Sequence, residues 1–245
     1  MRSSFPARRL VPVAAAAFSL FTLAPGLASA HEPETPAVEA PAPEANVVPI
    51  VGGFSISTRD SDDHSVADGC VTPGTHRLLC FDFWTNNIGR GDFVIGSPEE
   101  RPDLFVASES HGHYHLKDFN EFALFDLAGN PVITGAKQAF CLMDTEKMSD
   151  WGAEEGTFSD CNENQGISAG WADLYSSDLP CQFVVIDGLA DGTYVLRSTT
   201  NAQQVVPESS FADNTIYTYL QISGPHVTQL EGPPPWADHP VNWDV

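Results

Sequence analysis

The chain has 245 residues, of which 42% are hydrophobic and 18% charged, enough apolar material for one domain of ordinary size. Its 33 acidic residues against 11 basic ones give a formal net charge of −22. Such a surface repels nucleic acid and anionic lipid, which argues against both as partners, and it attracts cations, protonated amines among them.

Arg2, Arg8 and Arg9 make a positive n-region, residues 10–23 an apolar run, and Ala28-Ser29-Ala30 a small-x-small cleavage site. The expectation is a signal peptide over 1–30 and an exported protein, secreted or periplasmic. The Arg8-Arg9 pair keeps twin-arginine export open beside the ordinary route. No later stretch is apolar for about 20 residues, so no membrane insertion is expected. Residues 31–46, HEPETPAVEAPAPEAN, have no apolar period and read as a disordered Pro/Ala/Glu-rich linker. The folded domain is then 47–245.

Within that domain, short runs rich in aromatic and β-branched residues recur between turn residues, at 77–84, 114–127, 138–143, 182–186, 193–199 and 215–222. Ala128-Gly129-Asn130-Pro131 reads as a hairpin turn and Asp191-Gly192 as another. One or two helical turns are expected near 168–175. The fold class is all-β, a β-sandwich-like single domain with long loops and few short helices. Segment 144–170 is polar, Gly-rich and long, which points to a functional or cross-linked loop. Of the five cysteines, 70, 80, 141, 161 and 181, four should pair in an oxidising compartment. A Cys141–Cys161 bridge would staple the long loop, and Cys80 lies in an apolar run that tolerates a buried thiol. Composition leaves the pairing open.

The sharpest local feature is His111-Gly112-His113-Tyr114-His115. On an extended strand, alternate side chains share a face, so the three imidazoles are expected to project together. Three neutral imidazoles suit copper, zinc, iron or nickel. Glu109 and Asp118 flank the triplet and are candidates for orienting the rings.

From these histidines onward the runs HGHYHLKDFNEFALFDL, GAKQAFCLMDTE, GISAGWADLYSSDLPCQF, DGTYVL and VPESSFADN occur in the order and approximate spacing of the lysyl oxidases, and the chain resembles that family from about Cys70 to Gly224. The resemblance implies Cu(II) on His111, His113 and His115. It implies a lysine tyrosylquinone cofactor built from Lys137, ahead of Phe-Cys-Leu-Met-Asp-Thr, and Tyr175, ahead of Asp-Leu-Pro-Cys-Gln. It also implies disulfides Cys70–Cys181 and Cys141–Cys161 with Cys80 free. A further family bridge falls at Lys147 and Trp171, where both cysteines are replaced. Glu208, Asp213 and Asn214 match a loop that binds calcium in some members.

The implied reaction is oxidative deamination of a primary amine, peptidyl lysine or a small cationic amine or polyamine. O2 is consumed, and aldehyde, hydrogen peroxide and ammonia are released. Asp144 and Asp173, near Lys137 and Tyr175 in sequence, are the candidate general bases. The alternative is a secreted copper-binding β-sandwich that stores or delivers the metal and forms no quinone.

Overall fold

A computed structural model describes residues 44–108, 110–134 and 138–232. The expected signal peptide, nearly all of the linker, Glu109 and Lys137 lie outside the described residues. None of the described helices is long and apolar enough to cross a membrane.

The regular structure of the described residues is nearly all strand. In order come β1 (Val47–Asp60), a single helix α1 (Asp63–Ala67), β2 (Thr75–Asn87), β3 (Phe93–Gly96), β4 (Phe105–Ser108) and β5 (His113–Phe125). There follow β6 (Pro131–Thr134), β7 (Gln138–Phe140), β8 (Glu146–Lys147), β9 (Gln165–Ile167) and β10 (Trp171–Tyr175). The chain ends in β11 (Phe183–Val185), β12 (Gly192–Thr199), β13 (Thr215–Ser223) and β14 (His226–Gln229).

One antiparallel sheet runs β1-β2-β10-β8, with β11 also on β2; a second runs β14-β13-β12-β5-β4, with β6 and β7 also on β5. A small β3-β9 pair lies apart. Phe81 and Phe83 of β2 both meet Phe122 of β5 edge-on, at 5.0 Å between ring centroids. Leu79, Leu124, Leu196, Leu220 and Ile222 fill the same buried core. Edge-to-face aromatic packing of this kind adds to the gain from area alone. The two sheets therefore close on one another, as the sandwich expectation required.

Three local expectations change. The segment expected to turn helically near 168–175 instead supplies β10, because Ala172 to Tyr175 pair with Asn86 to Phe83 of β2; sheet pairing overrides local preference. Asp191-Gly192 joins strands of different sheets rather than turning a hairpin, since β11 pairs with β2 and β12 with β13 and β5. The linker also ends sooner: Ala45 and Asn46 are buried, and Asn46 N–H donates to Asn87 Oδ1 at 3.1 Å.

The Ala128–Pro131 turn does form, with Asp126 Oδ1 accepting from the N–H groups of Ala128 and Asn130 at 2.9 Å each. Two disulfides are present, Cys70–Cys181 and Cys141–Cys161, while Cys80 is free and buried. Lys147 and Trp171 face one another across the β8–β10 ladder, a position from which two cysteines would meet.

Candidate metal centre

The histidine triplet straddles a turn and a strand. His113 and His115 lie two apart on β5 and share a face, but His111 precedes the strand in the β4–β5 connection. Gly112, at φ +70°, and a bond from Gly112 N–H to the Ser108 carbonyl (2.9 Å) fold that connection back. A glycine here meets a left-handed backbone that L side chains resist. Strand alternation thus accounts for two of the three imidazoles, and the Gly112 turn delivers the third.

The result is a tight cluster. His115 Nε2 lies 3.0 Å from His113 Nε2 and 3.3 Å from His111 Nδ1. One ligand atom from each residue lies within 4.8 Å of the others. Burial, then the neighbouring His113 and His111, holds the His115 pKa down to about 4, and burial with His111 lowers that of His113. Neutral imidazoles with convergent nitrogens are the form a metal takes. A single proton on His115 Nε2 serves at best one of its two contacts well, whereas a metal ion serves all three nitrogens. The residues present fit a copper ion.

The strand carrying the ligands is fixed from below by Gln165, which is wholly buried. Its Nε2 donates to the carbonyls of Tyr114 (2.9 Å) and Cys161 (2.8 Å), and its Oε1 accepts from Leu142 N–H (3.0 Å). One side chain thereby ties β5, the disulfide loop and the segment after β7. Sequence reading missed it, because a lone glutamine carries no spacing signal. It also missed Asp68 and His64, which approach the cluster from α1. Asp68 Oδ2 lies 3.7 Å from His111 Nδ1, and the His64 ring stacks on His111 at 5.4 Å. Asp118, expected to orient a ring, sits exposed at φ +51°, beside a register shift in β5.

The cluster opens into a cavity of about 920 Å³, and Tyr175 and Asp173 from β10 line the same space. Tyr175 donates its hydroxyl to the Cys141 carbonyl at 2.6 Å, and its ring meets Phe140 edge-on at 4.3 Å. Burial, and then the nearby Asp173, push the phenol pKa well up. Asp173 is 2% exposed. Burial lifts its carboxyl well above the usual range, against the lowering influence of hydrogen bonds with Met143 N–H and Thr145.

Asp144 is placed differently from Asp173. It accepts from Ser168 N–H (2.7 Å), Ser168 Oγ (2.6 Å) and Phe158 N–H (3.0 Å). That carboxylate closes the long loop on itself.

The loop expected to take calcium is built around the buried Glu208. Glu208 Oε2 accepts from Val47 N–H at 2.8 Å, and Oε1 accepts from the amides of Asn201 and Asn214 at 2.7 Å each. Asp213 Oδ2 accepts from Asn46 Nδ2 at 2.8 Å. These bonds clamp residues 45–47 onto the domain, while Asp213 Oδ1 and Asn214 Oδ1 are buried with no hydrogen-bond partner.

A family model described as lysyl oxidase matches residues 56–231. Lysyl oxidase homolog 3 of Homo sapiens is 35% identical over 154 residues, covering 62% of this chain and 20% of that protein. Lysyl oxidase homolog 3B of Danio rerio is 34% identical over 172 residues, covering 70% and 21%. For lysyl oxidase homolog 2 of Gallus gallus the figures are 31% over 165 residues, 66% and 20%. The chain spans about a fifth of the length of the relatives it matches. With the family model covering most of the chain and its site converging on one cavity, this protein belongs to the lysyl oxidase family.

Proposed function

We propose that this chain is an exported, copper-dependent amine oxidase of lysyl-oxidase type. The substrate is a primary amine, either peptidyl lysine or a small cationic amine such as a polyamine. Amine, O2 and water yield aldehyde, ammonia and hydrogen peroxide. The observation that carries the reading is the meeting of three convergent imidazoles with Tyr175 and Asp173 around one cavity, in a chain of this family. Two disulfides support export to an oxidising compartment.

His111, His113 and His115 would hold the copper, and Lys137 and Tyr175 would supply the lysine tyrosylquinone. When bound and mature, these groups supply O2 reduction and an electron-accepting carbonyl. The chain's own residues do the rest. The Cys141 carbonyl and the Phe140 edge fix the Tyr175 ring in one orientation. The largely apolar wall, with Leu174, Leu179 and Pro180, excludes water and accepts an alkyl chain. Burial raises the Asp173 carboxyl well above the usual range, which suits it to take up and give back a proton beside Tyr175.

Tandem mass spectrometry on a digest of copper-loaded protein tests the reading. A peptide joining Lys137 to Tyr175 is the expected result. Copper bound at one equivalent with O2 supplied, and no such peptide, would overturn it in favour of a copper-storage or delivery protein.

A further inference from the structure

We propose that His64 of α1 and Asp68, which caps that helix, form beside His111 a metal-capture position at the mouth of the cavity, from which a divalent cation passes inward to the three-histidine cluster. The proposal rests on the copper reading above and adds the route by which the ion arrives.

The four imidazoles form a graded row. The His64 ring stacks on His111, with centroids 5.4 Å apart and planes 24° from parallel. His111 stacks in turn on His113 at 5.6 Å and lies 5.2 Å from His115. Exposure falls along the row: His64 is exposed, His111 and His113 are half-buried, and His115 is 9% exposed. His64 and Asp68 lie outside the group whose ligand atoms converge within 4.8 Å, so they border the resting site without completing it.

Asp68 follows His64 by one helical turn, its N–H donating to the His64 carbonyl at 2.9 Å. Residues so spaced stand on one side of the helix. The Asp68 carboxylate faces His111 Nδ1 at 3.7 Å and accepts from Ser110 Oγ (2.7 Å) and Ser108 Oγ (3.3 Å). A carboxylate beside imidazoles is a suitable donor set for a divalent first-row cation.

The platform under this pair is rigid. Asp62 caps α1 by accepting from Ser65 N–H and Ser65 Oγ, and Ser65 Oγ accepts from Cys181 N–H at 3.0 Å. The Cys70–Cys181 bridge ties the segment after the helix to the Leu179–Cys181 stretch of the cavity lining. A hydrated cation cannot shed all its water at once without a large cost in solvation. Ligands at increasing depth let it exchange waters stepwise, and the acidic surface raises its local concentration.

The test follows copper uptake itself. Metal-free full chain is mixed with Cu(II) supplied as its bis-glycine complex, and the visible absorption of the protein-bound ion is followed for wild type, His64→Ala, His64→Gln and Asp68→Asn. Final copper content and the electron paramagnetic resonance spectrum are then recorded. The expected result is loading slowed roughly 10-fold in each variant, with one copper per chain and an unchanged spectrum at the end. His64→Gln keeps a polar side chain at the position, so a defect shared with His64→Ala reports the lost ligand. Wild-type loading rates in all variants would overturn the proposal. So would an altered final spectrum, which makes His64 or Asp68 a ligand of the resting centre. Wild type that takes up no copper, or His113→Ala that takes it up equally well, sinks the copper reading and the capture route with it.

Discussion

The histidine cluster and the Glu208 loop are both crowded with polar side chains, and they are wired in opposite ways. Both carboxylate oxygens of Glu208 meet N–H donors, from Val47, Asn201 and Asn214. Around His115 nitrogen faces nitrogen at 3.0 and 3.3 Å, in a setting that keeps protons off His113 and His115. Both regions look like metal sites on paper, since carboxylates and imidazoles are metal ligands alike. Donor–acceptor accounting separates them. A cluster whose acceptors are matched by donors holds the fold together, and one whose acceptors converge on each other is completed by a cation.

The contrast is broken most severely by exchanging the consequences. His113→Ala should reduce bound copper from one equivalent to below detection, by elemental analysis of dialysed protein, while leaving the unfolding midpoint in urea nearly unchanged for the metal-free form. Copper retained at one equivalent would remove the cluster from the argument. Glu208→Ala should do the reverse. Three buried donors lose their acceptor, at about 1–3 kcal/mol for each, so chemical unfolding should show a loss of about 3 kcal/mol or more. Added calcium should restore none of it, and copper binding should persist.

A finer comparison lies between the two aspartates. Asp173→Asn should slow amine turnover by about 100-fold, the lower end of what positioned proton transfer contributes, whereas Asp144→Asn should chiefly destabilise the loop, by about 1–3 kcal/mol. Their pH behaviour should also differ. Burial raises the folded-state pKa of Asp173 above that of an aspartate in the unfolded chain. The native state therefore keeps a proton that the unfolded chain has lost, and stability falls as pH rises above that value. Asp173→Asn should flatten this part of the stability–pH curve. An unchanged curve in urea titrations from pH 4 to 7 would contradict a protonated Asp173.

How much of this was legible in the sequence depends on the range of the interaction. The strand over 114–127 and the turn after Asp126 follow from local pattern and composition, and both form. Strand β1 escaped notice because Pro49 and Gly52-Gly53 read as breakers. The structure accommodates them on an edge strand, with a bulge between Gly52 and Ser55. The run 171–175 is too short to carry a helical or strand signature of its own, and its pairing with β2 decides it. The triplet announced a metal, but half of its setting did not: His64 and Asp68 lie some 40 residues upstream with no distinctive spacing, and only the tertiary contacts of this segment with Ser108, Ser110 and His111 bring them in. Glu208 was legible as polar and illegible as satisfied, because its donors come from residues 47, 201 and 214.

Cys141 serves the site with two of its parts. Its sulfur is bonded to Cys161, and its backbone oxygen receives the Tyr175 hydroxyl. The ring proposed to become the cofactor is thus aimed by a carbonyl whose own position depends on a thiol having been oxidised. A chain still inside a reducing cytoplasm has an untethered loop there and no fixed acceptor for that hydroxyl. In the proposed oxidase, arming of the cofactor would in this way be conditional on an oxidising compartment.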